Sequence, residues 1–278
     1  MQSRVATAAT PSTSWESPAH GIRSLLRIIN LRLIKPAMKS LIPASWLRQV
    51  LQHRSRRWDA RFHCQPAVDV FTVIYKEAKW GAGPRGDYYS GTGSHDPQLV
   101  RPYVKAVGSF LQSLPTPPSL VDLGCGDFNI GSQLRRYCGK YIACDVVPGL
   151  ISRNQEKFSD ADVDFRCLDI TQRDFPDAEV ALLRQVLQHL STVQILQVVP
   201  SLYRYRFLVV SEHLPVEPDF RPNVEKPAGA MIRLFLGSGV ILTEPPFNLK
   251  VKSAKVICSI SQAVDDDPGL VRTTLYEL

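Results

Sequence analysis

The 278-residue chain has no run of about 18 uninterrupted apolar residues, so no segment is expected to cross a bilayer as a helix. Its six cysteines form no Cys-x-x-Cys pair, and none has a histidine at metal-ligand spacing, so no metal is expected. Several, among them Cys144 and Cys258, sit in apolar strand-like runs and read as reduced core thiols, which points to a cytoplasmic protein. There is no Gly-Lys-Ser/Thr run of the kind that cradles a nucleoside triphosphate. Acids are scarce at one end only. Residues 1–65 carry eleven Lys and Arg against Glu16 and Asp59, a net charge of +9, which leaves −2 for the remainder of a chain whose total is +7. Nucleic-acid enzymes usually spread Lys and Arg over a broad binding face, so no nucleic-acid partner is expected for the globular part.

What is present divides at about residue 65. Residues 1–20 are rich in Ser, Thr, Ala and Pro and read as disordered. From Ile22 to Leu51, bases alternate with Leu and Ile around Pro36 and Pro43. Three readings stay open: a helical extension packed on the main domain, a basic amphipathic helix at an anionic membrane surface, or an organelle transit peptide. Residues 66–278 alternate short apolar runs with helical patterns. Asp96-Pro97 caps a helical stretch that ends at Pro115, and strand-like runs follow at Ser119–Leu123, Lys140–Asp145, Val163–Leu168, Glu179–Leu183 and Phe207–Ser211. This is the pattern of an α/β, doubly wound parallel sheet.

Between the first strand and the next helix lies Asp122-Leu-Gly124-Cys125-Gly126-Asp127-Phe-Asn129-Ile-Gly131. Glycines there let the backbone turn sharply and approach a ligand at the carboxyl edge of the sheet. A dinucleotide loop wants its third glycine where Asn129 stands. Asp145 ends the second strand, where an acid accepts the hydroxyls of a ribose, and Asp169-Ile170 ends the third, where a carboxylate and an apolar neighbour suit adenine. A loop without a phosphate cradle, followed by these two acids, fits S-adenosylmethionine.

The segment resembles the class I (Rossmann-like) S-adenosylmethionine-dependent methyltransferases. More narrowly, it resembles a little-characterised branch with the motifs found here as Ile74-Tyr75, Trp80-Gly81, Ser90-Gly91-Thr92-Gly93-Ser94, Cys125 to Asn129, and Arg184-Gln185-Val186-Leu187-Gln188-His189-Leu190. The similarity covers roughly residues 68–213. It implies a mostly parallel seven-stranded sheet, completed by an antiparallel edge pair from Asn248–Val251, Ala254–Ser261 and Val271–Tyr276, and the enzyme activity of that class. By the same resemblance Asp122, Gly124, Cys125, Gly126, Asp127 and Asn129 line the methionine part of the cofactor, Asp145 the ribose, and Asp169 with Ile170 the adenine. Trp80, Ser90, Gly91 and Gly93 form a flap, with Arg184 beside the cofactor; the competing reading is a surface turn with Trp80 as a core anchor.

No Asn/Asp-Pro-Pro-Tyr/Phe follows the fourth strand, which disfavours an amino group of a nucleic-acid base as the acceptor. His189 and the pair Glu212-His213 are the candidate catalytic groups, either as proton acceptors or as structural residues. In the long polar stretch after Pro215, Asn223, Lys226 and Arg233 are the candidate substrate-binding residues. The expected reaction is O-methylation of a small molecule or saccharide. Alternatives are an inactive cofactor-binding partner of a glycan-assembly system, or an RNA methyltransferase.

Overall fold

The computed structural model describes residues 53, 57–62, 65–172, 174–264 and 268–278. Residues 52–278 group as one compact unit by their contacts. The basic stretch Ile22–Leu51 lies outside the described residues, and with it the readings of that stretch as helical extension, membrane helix or transit peptide. Among the described residues no helix is long and apolar enough to cross a membrane.

Seven strands form one sheet: β1 (Ser119–Leu123), β2 (Lys140–Asp145), β3 (Asp164–Cys167), β4 (Val180–Arg184), β5 (Phe207–Pro215), β6 (Ser253–Ser261) and β7 (Gly269–Glu277). Their order is β3-β2-β1-β4-β5-β7-β6. The first five are parallel, and β7 runs antiparallel between β5 and β6. Alternation along the strands splits the core into two layers. Val121, Ile142, Ala181 and Leu208 face one side, and Leu120, Tyr141, Val180 and Phe207 the other.

Helices cover both faces. Helix α1 (Ala67–Lys76) buries Ala67, Val70, Phe71 and Ile74, one stripe at helical spacing. After the short α2 (Thr92–His95), the long α3 (Pro97–Ser113) starts as expected, its Asp96 N-cap accepting from the Gln98 amide and Pro97 at the first helical position. The remaining helices are α4 (Gly131–Leu134), α5 (Pro148–Lys157) and α6 (Thr192–Leu202), the last opened by a capping box between Ser191 and Gln194.

Three expectations change. The helix after the glycine loop is a single α-turn followed by a 3-10 turn, and Gly131 at its start leaves room for the Phe128 ring. Asn248–Val251 is not a strand. Strand β5 continues to Pro215, so Glu212 and His213 lie inside it, paired with Arg272 and Val271 of β7 rather than following its end. The antiparallel partner supplies backbone bonds that a parallel edge would have lacked.

Candidate active site

The carboxyl ends of β1, β2 and β4 open onto a cavity of about 480 Å3. Gly124 leaves β1 at φ +87° and Gly126 follows at φ +56°, a region costly for any residue with a Cβ. The space a Cβ would need is taken by Val186 at the first position and by Ser90 Oγ at the second. The two glycines thus let the loop turn under the neighbouring β4 end and the flap.

The flap is built from Ser90 to Ser94. Asp127 accepts from the Ser90 amide at 2.8 Å, and the Asp127 amide donates to Ser90 Oγ at 2.8 Å. The same Ser90 hydroxyl is 2.9 Å from Tyr75 OH on α1. His95 Nε2 lies 2.6 Å from the Asp127 carboxylate, and Asn129 donates to the Ser94 carbonyl. From β4, Arg184 donates to the Gly93 carbonyl at 2.6 Å while its guanidinium lies 4.7 Å from the centre of the Tyr103 ring. Asp127, Asn129 and Arg184 therefore hold the flap to the glycine loop and the sheet. Arg184 also reaches the cavity wall; Asp127 and Asn129 do not.

Asp145 is buried, and burial pushes its carboxyl up to about 6 even though its two oxygens accept from the Gly126 and Val147 amides at 3.1 Å. Its carboxylate still reaches the cavity, as do Asp169 and Ile170. Asp169 turns one oxygen to the amide and hydroxyl of Thr171. Asp122 is placed differently from expectation. On β1 it shares the face of Leu120, and Tyr141 OH donates to it from beneath at 3.0 Å. Burial raises its carboxyl to about 7, and it does not line the cavity.

The opposite wall is aromatic and uncharged. Phe71, Tyr75 and Trp80 line it, with Trp80 4.9 Å from His189 between ring centres. The Trp80 indole N–H is buried and has no hydrogen-bond partner among the described residues. Burial drives the His189 imidazolium down to about 3, with Lys226 adding to the effect, so the ring is neutral. Its Nδ1 lies 3.1 Å from the Gly229 carbonyl, and Nε2 3.3 Å from the Gln188 side-chain nitrogen. His213 also reaches the cavity; burial lowers its imidazolium, and its Nε2 donates to the Gln262 carbonyl at 2.9 Å.

Four sequence candidates are framework, not wall. Glu212 lies below the 3-10 turn Leu187–His189, accepting from the Leu187 amide, and burial raises its carboxyl to about 8. Arg233 is fully buried, and its guanidinium donates to the carbonyls of Leu187, Gln188, Leu190 and Val224. It satisfies the open end of that turn. Asn223, at φ +58°, bonds both the amide and the carbonyl of Ile241 and the carbonyl of Pro245. Lys226 is buried against the carbonyls of Pro227 and His189. None of the four lines the cavity, so the acceptor cannot be gripped by Asn223, Lys226 and Arg233 as expected.

Comparison with known proteins fits this geometry. Residues 120–205, from β1 through α6, match a family model described as a methyltransferase domain. The N-methyltransferase NodS from Bradyrhizobium japonicum WM9, solved in complex with S-adenosyl-L-homocysteine, is similar over 75% of this chain and 99% of its own, with 12% identity and a TM-score of 0.53. That likeness is one of fold. Magnesium protoporphyrin IX methyltransferase from Synechocystis PCC 6803 is similar over 76% of this chain and 98% of its own, at 15% identity and a TM-score of 0.47. No curated protein matches in sequence. Matched segment, fold and site define the class: the protein is an S-adenosylmethionine-dependent methyltransferase.

Proposed function

We propose that the enzyme methylates a hydroxyl oxygen of an uncharged small-molecule or saccharide acceptor. The observation that carries this reading is the charge distribution around the cavity. Among the described lining residues other than histidine, the acidic and basic side chains are Asp145, Asp169 and Arg184. The two acids stand at the β2 and β3 ends, and Arg184 is committed to the flap and to Tyr103. Among the described residues, the wall formed by Phe71, Trp80, His189, Ile232 and Phe235 therefore offers no free cation to a carboxylate or phosphate and no carboxylate to an ammonium group.

The residues present fit the cofactor. Asp145 holds the ribose hydroxyls, and Asp169 with Ile170 holds the adenine. The tight backbone at Gly124–Gly126 and the flap Ser90–Gly93 accommodate the amino-acid end, with Trp80 covering a cationic centre through its ring face. Bound there, S-adenosylmethionine supplies a methyl group on a positively charged sulfur. Catalysis by this chain is then mainly alignment: the cavity walls hold the acceptor oxygen in line and exclude water. His189 Nε2, neutral, accepts the hydroxyl proton as the acceptor's hydroxyl takes the place of the long 3.3 Å contact from the Gln188 amide. A methylated, still protonated oxygen is a far stronger acid than imidazolium, so the proton moves downhill even to so weak a base.

The test is calorimetric titration with S-adenosylmethionine and S-adenosylhomocysteine, followed by incubation with labelled cofactor and fractionated cell extract. An ether product, stable to mild base, is expected. A base-labile ester or a methylated amine would overturn the assignment to a hydroxyl. Cofactor binding with no labelled product from any fraction would favour the reading as a non-catalytic partner protein.

A further inference from the structure

Asp59 is one of two acids in a stretch of eleven bases, and it is fully buried. It lies ahead of α1, in a helical turn that runs into the 3-10 turn Ala60–Phe62, yet its carboxylate is spent on residues far along the chain. One oxygen accepts from the Ala230 amide and the other from the Met231 amide, both at 3.1 Å. Gly229 is pressed against it so closely that a Cβ would run into the carboxylate. Lys226, also buried, favours the charged form of this carboxyl and donates to the carbonyl of His189.

The clamped segment is the one that fixes His189. The Gly229 amide donates to the His189 carbonyl at 2.9 Å, and the Gly229 carbonyl faces His189 Nδ1. A carbonyl only accepts, so Nδ1 carries the hydrogen. The other side of the ring agrees independently. The Gln188 oxygen accepts from the His213 amide, which leaves the Gln188 nitrogen facing His189 Nε2, and that nitrogen only donates. Nε2 is therefore bare.

We propose that Asp59 is a positioning residue for the acceptor half of the site: by clamping Gly229–Met231 it holds the Gly229 carbonyl that fixes His189 with Nε2 unprotonated. The segment before α1 is thus part of the site's construction. The inference rests on the reading of His189 as the group that receives the hydroxyl proton. Removing the carboxylate frees two amides, lets Gly229 shift and weakens the hydrogen bond at Nδ1, leaving the 3.3 Å contact from Gln188 as the remaining hold on the ring, while the cofactor half, built from β1, β2 and the flap, stays as it is.

The experiment uses full-length protein labelled with 15N-histidine, with His189 assigned by its loss in His189→Gln. Long-range proton–nitrogen spectra report which ring nitrogen carries the hydrogen. Expected is a single Nδ1-protonated His189 in the wild type, a shifted and broadened His189 Nδ1 resonance in Asp59→Ala as its hydrogen bond weakens, and S-adenosylhomocysteine affinity within about threefold of wild type, as for separated sites. Asp59→Asn keeps the shape and one accepting oxygen; it gives an intermediate spectrum and decides the matter if Asp59→Ala does not fold. Unchanged His189 resonances in either folded variant overturn the inference, as does a loss of cofactor affinity that parallels the spectral change. An Nε2-protonated His189 in the wild type would instead overturn both this inference and the proton-accepting role on which it rests.

Discussion

Asp145→Asn tests the proposed ribose contact. In the wild type one Asp145 oxygen accepts from the Gly126 amide and the other from the Val147 amide, both at 3.1 Å. An asparagine of the same shape can satisfy one of these; its nitrogen must face the other amide or turn toward the cavity, so a charged acceptor is lost. A hydrogen bond to a charged group contributes about 1.5–3 kcal/mol, which corresponds to an affinity loss of roughly 10- to 100-fold. Calorimetry with S-adenosylhomocysteine at pH 7.5 measures it. A pH series provides a second arm. Burial holds the Asp145 carboxyl at about 6, so it is mostly ionised at pH 7 and mostly protonated at pH 5. Wild-type affinity should therefore fall about tenfold between those values, and the variant should be flat across them. For the free protein the sign is opposite. A carboxyl raised above its unfolded value favours folding most fully below about 4 and loses that contribution as pH rises through 6, so weaker binding in acid cannot be ascribed to unfolding driven by this group. A variant that binds within about threefold of wild type, or that keeps the acid-side loss, would refute the assignment of Asp145 to the ribose.

Arg184→Ala removes the bond to the Gly93 carbonyl and the stack on Tyr103. Faster proteolytic cleavage within residues 90–94 and weaker S-adenosylhomocysteine binding are expected, with the fold intact by circular dichroism. Glu212→Gln tests the buried acid beneath the Leu187–His189 turn. Because burial raises its carboxyl to about 8, the wild type loses stability as pH rises from about 4.5 to 8 and the neutral variant does not. Denaturant unfolding at pH 6 and pH 9 should show the variant gaining on the wild type at the higher pH. Gly131→Ala drives a methyl group into the Phe128 ring and should cost about 1–3 kcal/mol in the same unfolding assay.

Strands β1 and β2 are legible in the sequence to the residue, because a buried parallel strand reads as a short apolar run closed by its functional acid. The glycine loop is legible for the same reason: few residues other than glycine tolerate the φ values at 124 and 126. The polar candidates fared differently. Asp122 and Asp145 fall on the same face of their strands, and position along the sheet separates them: Asp145 is the last residue of β2, whereas Asp122 lies inside β1, level with Ala143. Asn223, Lys226 and Arg233 lie in a stretch that reads as solvated, whereas the structure buries them. A loop that packs inward has carbonyls to satisfy, and long cationic side chains can do that as well as they can bind an anion. Asp59 was missed because its partners are more than 170 positions away. An acid isolated among bases was the available sign, and Gln188 was hidden in the same way within a motif whose histidine drew the attention.

The chain between β5 and β6 has few ladder bonds of its own, and Asp59, Asn223, Lys226 and Arg233 tie it down through its backbone. The surface it turns toward the cavity belongs to other residues, Ala230, Ile232 and Phe235. Frame and lining are thus written in separate letters of the sequence. The lining can be exchanged for larger, smaller or more polar groups while the ties stay in place, so this stretch is a natural starting point for redirecting the enzyme toward a different acceptor.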